Sequence, residues 1–140
     1  MKRAVMLLTA LICSAAFAAA AGAEGSDGSA GGGSAANGGY RDPAQLSRLI
    51  ETGHPAYILV DVRTPQEFVT GYIPTAVNIP VADIASHLPT KDKSALIVVY
   101  CRSGRRSAQS KTILEGLGYT GVVDFGGISR WTGTLAGKNE

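Results

Sequence analysis

Cysteine is nearly missing from this chain: among 140 residues there are two, Cys13 and Cys101. So few exclude a disulfide-built scaffold. Histidine is equally sparse, with only His54 and His87, each beside turn residues and far in sequence from Cys101, so neither is assigned as a general base. No cysteines or histidines stand at metal-ligand spacing, and no Gly-rich phosphate loop ending in Gly-Lys-Ser/Thr occurs; no metal or other cofactor is implied. Charge of one sign is lacking as well, with 13 basic against 11 acidic residues, which gives no whole-protein field for nucleic acid or a membrane surface. Internal repeats are absent. The longest apolar run, Ala4 to Phe17, falls short of the roughly 18 residues that cross a bilayer.

That run follows Lys2 and Arg3 and leads into small residues ending Ala21-Gly22-Ala23. A short basic region, an apolar stretch and a small-x-small site are the layout of a secretory signal peptide, over residues 1–23. The expected product is a periplasmic or secreted protein with no stable membrane insertion after cleavage. Bulky Leu11 and Ile12 before Cys13 argue against a lipoprotein. Cleavage removes Lys2, Arg3 and Cys13, leaving 11 basic against 11 acidic residues and a lone cysteine. Residues 24–39 are almost all Gly, Ala, Ser, Asp and Asn, which cannot bury a core and read as a linker. Residues 40–140 remain for one domain.

Within that domain the apolar run Ala95 to Tyr100 delivers Cys101 into the loop Cys101-Arg102-Ser103-Gly104-Arg105-Arg106-Ser107, with a helix predicted over Ala108 to Leu117. Loop amides and the positive end of a helix dipole converge on the sulfur in such an arrangement, and three arginines with no acid among them favour the thiolate. A lone buried core cysteine is the plainer alternative, but a core pocket would not be ringed by guanidinium groups. Cys101 is therefore the candidate nucleophile.

The remaining pattern alternates strands and helices. Asp42-Pro43 starts a helix that Gly53 stops, with Leu46, Leu49 and Ile50 on one face. Tyr57 to Val62 reads as a strand covered on both sides, and Thr64-Pro65-Gln66-Glu67 as a capping box opening a short helix that carries Phe68. A strand over Ala76 to Ile79 and a small helix with Val81, Ile84 and Leu88 on one face follow. The helix after the cysteine loop should face the sheet with Ile113, Leu114 and Leu117. Gly121 to Phe125 is the last strand, and Gly126-Gly127 a tight turn after it. The fold class is α/β, a parallel sheet between two helical layers, and ligands of such sheets bind at the carboxyl ends of strands. Cys101, Asp61 and Arg63 all lie at such ends.

In order, Leu59-Val60-Asp61-Val62-Arg63, Glu67-Phe68, Gly71 to Pro80, Cys101 to Ser107, Leu117-Gly118-Tyr119, Gly126-Gly127 and Trp131 resemble a single-domain rhodanese over Tyr40 to Leu135. With the signal peptide, the resemblance is to the small periplasmic thiosulfate sulfurtransferases of the phage-shock type. It implies a rhodanese-like three-layer fold and a sulfurtransferase in which Cys101 takes the outer sulfur of thiosulfate and passes it to cyanide or a thiol. The partners implied are a small anionic sulfur donor and that acceptor. Arg102, Ser103, Gly104, Arg105 and Arg106 are assigned to the donor. Arg106, by the family pattern, also points back to brace the loop against Asp61, with Arg63 and Glu67 as a second brace and Ser107 supporting the loop. Two positions depart from the family: Tyr72 stands where histidine is common, affecting packing, and Thr75 where glycine is common. Thr75 removes a residue suited to positive φ and points to an altered turn.

Cysteine phosphatases and arsenate reductases also hold a thiolate at a helix start, but they need Cys-x5-Arg, and here the spacing from Cys101 to Arg106 is Cys-x4-Arg with Ser107 at the longer position. A carrier or redox-sensing module without turnover is the reading from another class, and the sequence alone does not separate it from an enzyme.

Overall fold

The structure is a computed structural model that describes residues 38–137. The predicted signal peptide and most of the predicted linker lie outside the described residues. Gly38 and Gly39, read as the end of the linker, belong to a 3-10 turn over Gly38–Arg41.

Helix α1, Pro43–Thr52, begins where Asp42 accepts the amide protons of Ala44 and Gln45 at 2.9 and 3.2 Å. It ends at Gly53, whose φ of +66° suits a residue without a Cβ. Strand β1, Tyr57–Asp61, is followed by the four-residue helix α2, Pro65–Phe68, with Thr64 and Glu67 exchanging both hydrogen bonds of the expected capping box. Then come β2, Val77–Asn78, β3, Leu96–Cys101, helix α3, Arg105–Gly116, and β4, Val122–Gly127. The four strands are parallel and ordered β2-β1-β3-β4.

Alternation along β3 explains both the core and the place of the sulfur. Leu96, Val98 and Tyr100 join Leu46, Leu49 and Phe125 under α1, while Ile97, Val99 and Cys101 join Leu114 and Tyr119 under α3. All six residues of β3 are buried, as a central parallel strand requires. Cys101 thus leaves the sheet on the α3 side, directly below the helix start.

Several expectations are corrected. Val81 to Leu88 is not a helix but a chain of turns, with Asp83 N donating to Pro80 O at 2.8 Å and Ser86 N and its hydroxyl both donating to Asp83 O. Too few residues stand between Pro80 and Pro89 to offset helix nucleation, and serine competes for the backbone. Ile84 is still buried, but Leu88 is exposed. Helix α3 starts at Arg105, three residues before the predicted Ala108. Its inner face is Ser107, Ser110 and Leu114; Leu117 is exposed at the helix end and Tyr119 fills the core instead. Gly126-Gly127 is no turn but the last part of β4, entered through a bulge that skips Phe125 between Asp124 and Gly126. Thr75 stands at the turn where the resemblance points to glycine. It adopts φ +71° itself, with its hydroxyl 2.8 Å from that of Tyr57.

Candidate active site

The site is built by what happens where β3 stops. Gly104 takes φ +99°, turning the chain so that its amide donates to Cys101 Sγ at 3.0 Å and α3 begins immediately after. Ser107, one turn into α3, donates its hydroxyl to Gly104 O at 2.9 Å and lies 3.8 Å from Sγ. The loop rests on the end of β4. A Cβ at Gly127 would come within 2.8 Å of Arg102 O and 3.2 Å of Ser103 Cα, so only glycine lets the loop lie this close. The tight-turn reading of this pair missed that role; its signal was a glycine pair ending the strand beside the cysteine strand.

Cys101 is 1 % exposed. Burial pushes its thiol up, but the amides of Ser107, Gly104 and Ser103 together with the Ser107 hydroxyl pull it down further, and it sits below its ordinary value. The amide cradle leads this effect, ahead of the arginines on which the sequence argument leaned. Arg102, Ser103 and Arg105 are exposed around the sulfur.

The ion pairs exchange partners relative to expectation. Arg106 does not reach Asp61. Its Nη1 and Nη2 donate to the two carboxylate oxygens of Glu67 at 2.6 and 2.8 Å. That occupies the guanidinium as a brace from α3 to α2, which sets it apart from the exposed Arg102 and Arg105. Glu67 is able to do this because the capping box already fixes its carboxylate beside Thr64. The Arg106 hydrogen bonds, working against a smaller desolvation effect, hold the Glu67 carboxyl down at about 2. Asp61 is instead taken by Arg63, two residues on. Arg63 Nε and Nη2 donate to the carboxylate at 2.9 and 2.6 Å, and Nη2 also reaches Gly71 O at 2.8 Å. Both side chains are buried, so their charges compensate each other in a place where neither would be stable alone. Asn78 Nδ2 donates to the carbonyls of Asp61 and Arg63 at 3.0 and 2.9 Å, closing the corner; the sequence reading gave Asn78 no role.

Beside the loop opens a cleft of about 430 Å³ lined by Arg63, Gln66, Glu67, Thr70, Arg102 and Ile128. Gln66, Thr70 and Ile128 were not foreseen, because nothing local marks them and only the fold brings α2 and the end of β4 to the same opening. Tyr72, the other departure from the family, stacks on Phe68 with ring centroids 4.0 Å apart and exchanges backbone hydrogen bonds with Ala136. Trp131 is half-buried against the core under α1. His54 and His87 are exposed. Among the described residues, no group of three or more His, Cys, Asp and Glu side chains could hold a metal ion, and no helix is long and apolar enough to cross a membrane.

Residues 42–134 match the family model of the rhodanese-like domain. The chain is 38% identical over 71 residues to the thiosulfate sulfurtransferase PspE of Escherichia coli K12, covering 49% of this chain and 68% of that protein. It is 38% identical over 96 residues to the putative sulfurtransferase YtwF of Bacillus subtilis, covering 69% and 92%. Its structure resembles the human single-domain sulfurtransferase TSTD1 with a TM-score of 0.55 and 30% identity, over 60% of this chain and 85% of that one.

Proposed function

The chain belongs to the rhodanese family, whose relatives named above are sulfurtransferases, and we infer from this that it is a thiosulfate sulfurtransferase working through a persulfide on Cys101. The Cys101 thiolate attacks the outer sulfur of thiosulfate; the sulfur–sulfur bond of the donor breaks, and its electron pair leaves with sulfite. The new bond joins that sulfur to Sγ as an anionic persulfide, which then passes the sulfur to cyanide or a thiol. The charge and sulfur counts balance, and neither half needs an external oxidant.

The observation that carries this reading is the amide cradle: Gly104 N at 3.0 Å from Sγ, with the start of α3 behind it. Donors fixed in place favour a sulfur anion both before and after loading. Exposed Arg102 and Arg105 supply cations for a donor with two negative charges. The Glu67 pairing of Arg106 speaks against phosphatase or arsenate chemistry, since the arginine at Cys-x4 is turned toward α2 and committed there. Under this reading residues 1–23 export the enzyme, and it works in the periplasm or outside the cell.

The test is turnover of thiosulfate and cyanide to thiocyanate by the purified protein, with loss of that activity in Cys101→Ser. Hydrolysis of an aryl phosphate without thiocyanate formation would overturn the reading.

A further inference from the structure

Four residues do not make a self-supporting helix, because the first turn fixes more backbone than its hydrogen bonds return. Helix α2, Pro65–Phe68, nevertheless carries Glu67, the carboxylate that holds Arg106 in the first turn of α3. The N-terminal end of α2 is fixed by the Thr64 capping box. Its other end is fixed from outside the site. The Phe68 ring stacks on Tyr72 with centroids 4.0 Å apart and planes 11° from parallel, and both rings pack against the core under α1. Tyr72 is held in turn by a segment far along the chain. Its amide donates to Ala136 O at 3.0 Å, and the Ala136 amide donates back to Tyr72 O at 2.8 Å. Gly137, at φ +72°, lies against the ring itself, and a Cβ there would come within 2.4 Å of Tyr72 Cε1. The flanking backbone groups are committed as well: Gly71 O accepts from Arg63 Nη2 at 2.8 Å, and Ile73 N donates to the Tyr100 hydroxyl at 3.0 Å.

We propose that Tyr72, clamped by Ala136 and Gly137, is a positioning residue for the Cys101 loop. The contacts run in series. Ala136 and Gly137 seat Tyr72, Tyr72 seats Phe68, and Phe68 stands beside Glu67, whose carboxylate anchors Arg106 two residues beyond Gly104. Gly104 is the residue whose amide donates to Sγ. Releasing the clamp therefore loosens α2, then the start of α3, and with it the amide donors on which the sulfur anion depends. Donors that must be ordered at each encounter stabilise a developing anion less well than donors already in place. The inference takes from the persulfide reading only that Cys101 is the working residue. Exposed Arg102 and Arg105 stand outside the series, so the effect falls on the loading rate at saturating thiosulfate and not on KM.

The experiment compares the parent with Tyr72→Ala, Tyr72→Phe and a variant lacking residues 136–140, each shown by near-ultraviolet circular dichroism to be folded at the assay temperature. Two quantities are read: the pH midpoint of Cys101 alkylation, and the rate and KM of sulfur loading from thiosulfate. In Tyr72→Ala and in the shortened chain the midpoint should rise toward the free-thiol value of about 8.5. Loading at saturation should slow by about tenfold, within what a small misplacement costs, with KM unchanged. Tyr72→Phe keeps the stack and should behave as the parent does. In a Glu67→Gln background, Tyr72→Ala should cost less than it does in the parent, because the two act through one contact. A parent-like midpoint and rate in Tyr72→Ala, a change confined to KM, or effects of Tyr72→Ala and Glu67→Gln that simply multiply would each overturn the proposal. Should the shortened chain not fold, Gly137→Ala, which presses a methyl on the ring, takes its place. If the parent loads no sulfur, the persulfide reading fails, while the alkylation midpoints still decide this inference.

Discussion

Replacing Glu67 by glutamine isolates the charge of the brace that joins α2 to α3. Glutamine keeps the shape and still serves a capping box, so what is lost is the ionic part of the bidentate contact with Arg106 at 2.6 and 2.8 Å. The Glu67 carboxyl is held at about 2 against an ordinary 4.5. Taken at face value, that shift converts to about 3 kcal/mol. However, the two side chains keep 29% and 30% of their surface exposed, and part of the shift comes from Thr64. Screening reduces the expected contribution to about 1–2 kcal/mol. Because the folded-state value is depressed, this contribution is fully present above pH 4.5 and disappears as the pH falls toward 2. Urea unfolding should show Glu67→Gln to be less stable than the parent by about 1–2 kcal/mol at pH 7, with the gap closing between pH 4.5 and 2. Parallel stability curves for the two proteins across that window would refute the reasoning.

Three further outcomes follow from the site and its supports. Ser107→Ala removes a hydroxyl that lowers the Cys101 thiol, so the pH midpoint of Cys101 alkylation should rise toward the free-thiol value of about 8.5; an unmoved midpoint would exclude the hydroxyl. Gly127→Ala forces a methyl to within 2.8 Å of Arg102 O and should destabilise by about 1–3 kcal/mol in thermal unfolding while slowing sulfur loading. Parent-like values in both would mean that the loop does not rest on β4. At Thr75, held at φ +71°, Thr75→Gly should be more stable than Thr75→Ala by about 1 kcal/mol, the reverse of the usual order in regular structure. Alanine proving the more stable would place that residue outside the left-handed region.

The legible parts of the fold were those written locally. Asp42-Pro43, the Thr64 to Glu67 capping box and the continuous apolar run into Cys101 each carry their signal within a few residues, and each forms as expected. The failures occur where partners are distant or compete. Four charged residues, Asp61, Arg63, Glu67 and Arg106, were identified, but sequence gives signs and not geometry. Arg63 folds back on Asp61 because the chain turns directly after β1, which leaves Glu67 for Arg106. The true start of α3 is hard to see in the sequence because Arg105-Arg106-Ser107 is wholly polar, although only one face of the helix needs to be apolar. Gly127 looked like turn punctuation, while its reason lies across the sheet in Arg102 and Ser103.

The central claim is that Cys101 carries sulfane sulfur, and mass spectrometry of the Cys101 peptide after thiosulfate treatment tests it without knowledge of the acceptor. The peptide should gain the mass of one sulfur atom, lose it on addition of cyanide, and show no gain when Cys101 is serine. A peptide whose mass is unchanged by thiosulfate, in protein whose Cys101 is reduced and open to alkylation, would contradict the account.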